Sequence, residues 1–186
     1  MSAQAVAATL DWQQLGEMDC QAFTAALGEI FEHSPWVAQA AWSHRPFADL
    51  DALHAAMLGA VRAVPAAQRI AFLRSHPELA GKEAQAGTMT GHSTREQSGL
   101  NALSRAELEE LRRLNAAYAQ RHGFPFIIAV LGHTKPQIFE ALRERTGHDT
   151  HQEIDTALQQ IARITRRRLA ALLSNDSQPQ STKATP

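Results

Sequence analysis

The sequence has little of what disulfide-stabilised, membrane-spanning or nucleic-acid-binding proteins depend on. Cys20 is its one cysteine, which excludes an internal disulfide and a cysteine-based metal cage. No apolar run approaches the ~18 residues of a membrane span, and the N-terminus lacks the basic start of a signal peptide. A net charge of -1 leaves no basic surplus for binding nucleic acid. Together these absences predict a protein of the reducing cytoplasm.

The chain does contain enough apolar sequence for one ordinary domain. Its 186 residues are 44% apolar, which is in the range of globular proteins. Apolar residues recur at helical spacing along most of the chain, so we predict a single all-α domain over residues 1–173. Residues 174–186 are polar and contain a proline, and they are predicted to form a disordered tail.

Capping residues, prolines and glycines mark where the predicted helices begin and end. Asp19 and Asp49 occupy N-cap positions, and Gly123 is placed as a C-terminal stop. Residues 81–92 hold three glycines and are predicted to form a loop. Capping-box spacing relates Ser93 to Glu96, Ser104 to Glu107 and Thr150 to Glu153. The predicted helices cover about 19–33, 35–43, 49–64, 65–75, 104–122 and 150–173.

One apolar run, GFPFIIAVLG at residues 123–132, does not fit the helical pattern. Periodicity alone cannot distinguish a strand from a buried helix in so short a run. It is the only strand candidate in the chain, and one strand cannot make a sheet. We therefore predict a buried helix or an extended segment inside an all-α domain.

Three consecutive arginines near the end of the last predicted helix lie on different faces of it. Arg168 follows Ile164 by four residues, so it falls on the buried apolar stripe, whereas Arg167 falls on the opposite face. A solvated basic run at the negative end of the helix dipole accounts for Arg166 and Arg167. A guanidinium in a core-facing position needs an anion, either a carboxylate of the protein or one of a substrate.

His76 and Glu96 each allow a structural and a functional interpretation. Pro77 biases His76 away from helical geometry, so its imidazole is predicted to lie on a turn from which it can reach a ligand. The alternative is a surface histidine at a helix end. Glu96 can likewise be a functional-site residue, or it can simply form a capping box with Ser93.

Nine histidines also raise the possibility of a metal site. His148 and His151 have i, i+3 spacing, and three such ligands in a helical bundle would hold zinc. His148 lies before the predicted helix start, however, and no HExxH pattern occurs. We therefore predict no metal site.

Six stretches of the chain, in this order and at this spacing, resemble one family. They are EHSPW (32–36), RPF (45–47), SHPELAGK (75–82), STREQSGL (93–100), GFPFIIAVLG (123–132) and ITRRRL (164–169). The set resembles the 2-oxo-4-hydroxy-4-carboxy-5-ureidoimidazoline (OHCU) decarboxylases. The resemblance implies a compact bundle of about eight helices, a homodimer and a cofactor-free enzyme. Such an enzyme makes (S)-allantoin in urate degradation, after urate oxidase and 5-hydroxyisourate hydrolase.

The resemblance also implies catalytic and substrate-binding residues at the matched positions. The catalytic set is His76, Glu96 and Arg168, and the substrate-binding set is Pro77, Ser93, Gln97, Phe126 and Ile128. The family usually has a basic residue where Leu131 stands, and a different turn at 146–149. We therefore expect altered contacts at the rim of the pocket.

The expected substrate explains why these residue types suit the reaction. It carries a carboxylate and a hydroxyl on one ring carbon, beside a carbon–nitrogen double bond that can accept the electron pair left by carbon dioxide. We expect Arg168 to bind a carboxylate or another oxygen anion and His76 to act as general acid–base. Glu96 would bind substrate N–H groups or orient the imidazole, while the apolar 126–128 wall excludes water.

Three rival interpretations stay open from the sequence. One is a non-enzymatic helical binding module, which would need a long exposed apolar stripe for its partner. The second is a metal-binding helical bundle. The third is a decarboxylase of the same fold whose substrate has changed.

Overall fold

The computed structural model describes residues 10–81, 89–100 and 103–173, and these ranges confirm the all-α prediction. They contain nine α-helices, one 3-10 turn at Ser98–Leu100 and no β-sheet. The predicted tail and most of the predicted 81–92 loop lie outside the described residues. The helices are α1 Trp12–Glu17, α2 Cys20–Leu27, α3 Pro35–Trp42, α4 Leu50–Ala63, α5 Ala66–Arg74, α6 Gly91–Glu96, α7 Arg105–His122, α8 Lys135–Thr146 and α9 Thr150–Leu172.

Most helix ends agree with the capping signals. The side chains of Asp19 and Asp49 accept the backbone N–H groups of Ala22 and Ala52, as N-caps do. Both hydrogen bonds of the Ser104–Glu107 capping box are present. Gly123 ends α7 with a φ of 80°, a left-handed conformation that favours glycine.

Helix α2 ends earlier than its apolar pattern predicts. The pattern continues to Phe31, but the helix stops at Leu27, with Gly28 as its C-cap. A Cβ atom at Gly28 would lie 2.6 Å from the carbonyl oxygen of Thr24 and 3.1 Å from the Cβ atom of Pro35, so the helix end and the close passage of α3 together favour glycine there. The turn that follows still buries Ile30 and Phe31, and it brings the next residue, a glutamate, into the core.

Residues 125–130 of the apolar run 123–132 form a largely buried extended segment, one of the two outcomes expected from the sequence. Because it belongs to no helix or sheet, its backbone needs partners from elsewhere. Arg145 of α8 donates to the carbonyl of Ile127, and Gln160 of α9 accepts the N–H of Ala129. Side chains of two helices therefore fix the course of this segment.

The long helix α9 is the centre of the arrangement. It packs against α4 and α7, while α3 packs between α2 and α4, and α8 lies along α7. Among the described residues, no helix has both the length and the apolar character needed to cross a membrane. One face of α9 also borders a cavity beside the extended segment.

Candidate active site

A cavity lies between the end of α5, helix α6, the extended segment and α9. All eight residues that the family resemblance selected line it: His76, Pro77, Ser93, Glu96, Gln97, Phe126, Ile128 and Arg168. The sequence alone did not bring Glu32, Leu79, Ile161, Ile164 and Thr165 to the same cavity, and the structure does. One half of the wall is charged and the other is apolar.

Arg168 occupies the centre of the charged half. It is 6% exposed, which confirms its predicted place on the buried face of α9. Its Nε and Nη2 atoms donate to the two carboxylate oxygens of Glu96 at 2.8 and 2.6 Å. Nη1 donates to Glu32 at 2.9 Å and to the carbonyl of Ile30 at 3.2 Å, and Nη2 also reaches Ser93 Oγ at 3.2 Å. The anion that this guanidinium requires is thus supplied twice by the protein.

Glu32 is the second carboxylate of the network and was not singled out from the sequence. It is 1% exposed and accepts the hydroxyl groups of Thr90 and Ser93, both at 2.7 Å. Burial raises the pKa of Glu32, but these two hydrogen bonds and the charge of Arg168 outweigh burial, so the pKa lies below its ordinary value. Two carboxylates around one guanidinium leave the network with a net negative charge.

His76 lies just beyond the C-terminal end of α5, on the turn that Pro77 predicted. Its Nδ1 donates to the carbonyl of Phe72 at 3.1 Å, which leaves Nε2 as a proton acceptor. Burial lowers the pKa of His76 to about 4, although the bond to Phe72 and the charge of Glu32 act in the opposite direction. The imidazole is therefore neutral near pH 7.

Gln97 connects the cavity to the turn that carries His76. Its side chain is buried, and Oε1 accepts the backbone N–H of Ala80 at 3.0 Å. Gln97 thus lines the cavity and also supports the backbone four residues beyond His76.

The apolar half of the wall is held by a second buried ion pair. Arg145 donates through Nε to Glu153 at 3.0 Å and through Nη1 to the carbonyl of Ile127 at 3.0 Å. Its guanidinium also lies 4.5 Å from the centre of the Phe126 ring. Tyr118 donates to Glu153 at 2.6 Å. Burial raises the pKa of Glu153, but the bonds from Arg145 and Tyr118 outweigh it and lower the pKa overall.

Comparison with known proteins decides the family of this chain. A family model described as OHCU decarboxylase matches residues 16–170. A 2-oxo-4-hydroxy-4-carboxy-5-ureidoimidazoline decarboxylase of Haloferax volcanii is 40% identical over 169 residues, which cover 90% of this chain and 98% of the relative. The chain belongs to the OHCU decarboxylase family.

A longer relative and two solved structures extend the comparison. The uric acid degradation bifunctional protein PucL of Bacillus subtilis is 41% identical over 89% of this chain, which spans only 33% of that protein. A crystal structure of (S)-allantoin synthase is 30% identical, with a TM-score of 0.69, and covers 88% of this chain and 54% of that one. A crystal structure of OHCU decarboxylase in the presence of (S)-allantoin is 19% identical, with a TM-score of 0.62 over 85% of this chain and all (100%) of that one, and it supports the fold alone.

In this member of the OHCU decarboxylase family, two predicted capping boxes are wrong. Thr90, not Ser93, caps α6, because Ser93 and Glu96 are engaged with the buried Arg168. Similarly, Asp149 caps α9 in place of Thr150, because Glu153 is buried against Arg145. The capping interpretation of Glu96 is therefore overturned.

The expected departures from the OHCU decarboxylase pattern lie at the rim and behind the wall. Leu131 is 49% exposed, and Arg167 donates to its carbonyl at 2.9 Å. In the 146–149 turn, His148 Nδ1 lies 2.9 Å from Glu153 Oε1, so its nearest partner is part of the buried ion pair. Within the described ranges, no group of three or more histidine, cysteine or acidic side chains is arranged to hold a metal ion.

Proposed function

We propose that this chain decarboxylates OHCU to (S)-allantoin in urate degradation. The observation that carries the proposal is the cavity in which a neutral His76 faces the Glu32–Arg168–Glu96 network, opposite an apolar wall. Membership of the OHCU decarboxylase family selects the substrate from among small carboxylated ring compounds.

A neutral imidazole suits both proton transfers of this reaction. Breaking the bond to the carboxylate releases carbon dioxide, and its electron pair forms a double bond between the two ring carbons. The electron pair of the carbon–nitrogen double bond moves to its nitrogen, which takes a proton from solvent. Nε2 of His76 then accepts the hydroxyl proton as the ring carbonyl forms, and the imidazolium delivers a proton to the neighbouring ring carbon. Delivery from one fixed group to one face of the ring gives a single enantiomer.

The role of Arg168 differs from the simple carboxylate clamp expected from the sequence. A guanidinium has five N–H donors, and each nitrogen of Arg168 already donates to protein acceptors. Substrate contact with Arg168 therefore requires one of these acceptors to give way. The Glu96 side chain is 19% exposed and that of Glu32 is 1% exposed, so Glu96 is the one free to turn. We infer that Glu96 turns to the ureido and ring N–H groups while Arg168 meets a substrate oxygen.

The apolar half of the cavity supports the same reaction in two ways. Phe126, Ile127 and Ile128 exclude water, which disfavours a charged carboxylate relative to neutral carbon dioxide. Among the described residues, no hydrogen bond engages the backbone N–H or C=O of Ile128. These groups are suited to binding the amide edges of the substrate.

The assembly and cellular setting expected from the sequence belong to the same proposal. We propose a cofactor-free cytoplasmic homodimer that acts after urate oxidase and 5-hydroxyisourate hydrolase. The Bacillus subtilis relative, whose name places it in uric acid degradation, supports the pathway part of this proposal.

A coupled assay tests the function directly. Urate oxidase and 5-hydroxyisourate hydrolase generate the substrate from urate, and circular dichroism follows optically active allantoin with and without this protein. We expect rapid formation of the (S) enantiomer, unaffected by a chelator and lost in His76→Asn. The exposed His151 supplies a matched control, because His151→Asn should retain full activity. Racemic allantoin at the uncatalysed rate would reject the reaction and favour a changed substrate.

A further inference from the structure

A single peptide group beyond His76 is held on both sides by amide side chains. The carbonyl of Leu79 accepts a hydrogen bond from Asn115 Nδ2 at 3.0 Å, and the N–H of Ala80 donates to Gln97 Oε1 at 3.0 Å. This carbonyl and this N–H belong to the same peptide bond. Asn115 lies on α7 and Gln97 follows α6, so two separate helices fix the orientation of one peptide plane.

The backbone at this peptide needs such support. Ala80 has a φ of 47°, in the left-handed region that residues with a side chain rarely adopt. Gly81 then donates its N–H to the carbonyl of Glu78, and a Cβ atom at Gly81 would lie 2.8 Å from the Cβ of Glu78. A tight, strained turn persists only where its surroundings over-determine it.

The turn determines where His76 and Pro77 lie in the active cavity. On its N-terminal side, His76 is tied to α5 through the carbonyl of Phe72, and Ser75 Oγ donates to the carbonyl of Glu32 at 3.2 Å. On its C-terminal side, the Leu79–Ala80 peptide is hydrogen-bonded to Asn115 and Gln97. Releasing this peptide would free one of the two ends that hold the imidazole in place.

Asn115 is an unusual residue for its position. It is 2% exposed on the inner face of α7, where its buried neighbours along the helix are Leu111, Leu114 and Tyr118. Burying an amide among apolar residues is costly unless hydrogen bonds compensate. Its Nδ2 donates to the carbonyl of Leu79, whereas its buried Oδ1 has no hydrogen-bond partner among the described residues. Asn115 and His76 both border a second cavity. Packing alone does not account for an asparagine here.

We propose that Asn115 is a positioning residue for the decarboxylation: together with Gln97 it clamps the Leu79–Ala80 peptide and so keeps the His76 imidazole aligned with the Glu32–Arg168–Glu96 network. The inference rests on the proposed function for its effect on turnover. The clamp itself rests only on the geometry of the turn.

The test uses two variants that remove the donor and one control of stability. Asn115→Asp keeps the shape but places an acceptor against the Leu79 carbonyl, and Asn115→Leu removes both polar atoms. Leu142→Ala in α8 is the control, because Leu142 is fully buried but borders neither cavity. We expect kcat to fall about tenfold or more in both Asn115 variants, with KM changed much less, since small displacements of a catalytic group are costly.

A second readout does not depend on activity. Proton NMR titration of the His76 Cε1–H signal, assigned by its loss in His76→Asn, reports the surroundings of the imidazole. In the parent protein it should titrate near pH 4, where burial holds the His76 pKa. In both Asn115 variants it should move toward the ordinary value of 6.5, and in Leu142→Ala it should stay in place.

Unchanged titration of His76, with kcat no lower than in Leu142→Ala, would overturn the inference and reduce Asn115 to a core residue. If the parent protein fails to decarboxylate OHCU, the proposed function fails, and the NMR titration still decides whether the clamp exists. If Asn115→Leu does not fold, the isosteric Asn115→Asp carries the test.

Discussion

Replacing Glu32 by glutamine tests whether the buried carboxylates and Arg168 act as one unit. Glu32 accepts hydrogen bonds from Thr90 and Ser93 at 2.7 Å and from Arg168 at 2.9 Å. Glutamine has nearly the same shape, but one of its terminal atoms is an amide nitrogen, which cannot accept a hydrogen bond. At least one of these donors therefore loses its acceptor in a buried site, and Arg168 loses one of its two counter-charges.

The expected loss of unfolding free energy depends on which hydrogen bonds Arg168 keeps in Glu32→Gln. A hydrogen bond to a charged group contributes about 1.5–3 kcal/mol, and removing one partner of a buried ion pair costs about 3–5 kcal/mol when the other charge is left alone. Arg168 keeps its two-pronged contact with Glu96, so the higher range does not apply. We expect Glu32→Gln to lower the free energy of unfolding by about 2–3 kcal/mol at pH 7.

Urea unfolding followed by circular dichroism measures this loss. Glu109→Gln is the control, since Glu109 forms an exposed pair with Arg105 on the surface and such pairs contribute only about 0–1 kcal/mol. The pKa of Glu32 is lowered in the folded protein, so its stabilisation is complete above the ordinary value of 4.5 and disappears as the pH falls through the folded pKa. The difference between parent and variant should therefore shrink in acid. A loss below about 0.5 kcal/mol at pH 7, the usual range of neutral surface changes, would refute the reasoning.

The other predictions concern the imidazole and the apolar wall. His76→Asn should lower kcat by ~10²–10⁴, the usual contribution of general acid–base catalysis, while His151→Asn leaves it unchanged; equal turnover in both variants would remove His76 from the mechanism. Because the pKa of His76 is about 4 and the neutral form is the active one, kcat/KM should hold steady from pH 7 to pH 5 and fall as the pH approaches 4; an acid limb centred near 6.5 would contradict this. Glu153→Gln should lower the free energy of unfolding in urea and raise KM, because Arg145 then holds the wall at Phe126 less firmly. An unchanged KM in a destabilised variant would show that the ion pair stabilises the fold without affecting the site.

Arg168 shows what helical periodicity can predict and what it cannot. Its spacing along α9 correctly predicted that the guanidinium would be buried and would need an anion. The identity of that anion was not predictable in the same way. Glu96 and Glu32 lie 72 and 136 residues earlier in the chain, and periodicity carries no information about contacts between distant segments. The family resemblance supplied Glu96, whereas Glu32 emerged only from the folded arrangement.

Local signals were misleading where a side chain had a stronger partner far away. The capping boxes predicted at Glu96 and Glu153 do not form, because each carboxylate is buried against an arginine. Leaving a buried guanidinium unpaired costs more than losing one helix cap. Other residues, Thr90 and Asp149, then cap the two helices. Of the three capping boxes that the sequence predicted, the one that forms, at Ser104, is on an exposed helix end where no buried arginine competes for the glutamate.

The burial that keeps His76 neutral also defines what the charged network contributes. During the proposed reaction the imidazole becomes an imidazolium for one step, in surroundings that disfavour its charge. The carboxylate of Glu32 acts against that penalty, and its effect on the His76 pKa is larger than the opposing effect of the Arg168 charge. The network is thus arranged to stabilise the protonated state when it forms without imposing it beforehand. It follows that Glu32→Gln should shift the acid limb of kcat/KM to lower pH and reduce kcat, whereas a network that only braces the fold would leave the position of that limb unchanged.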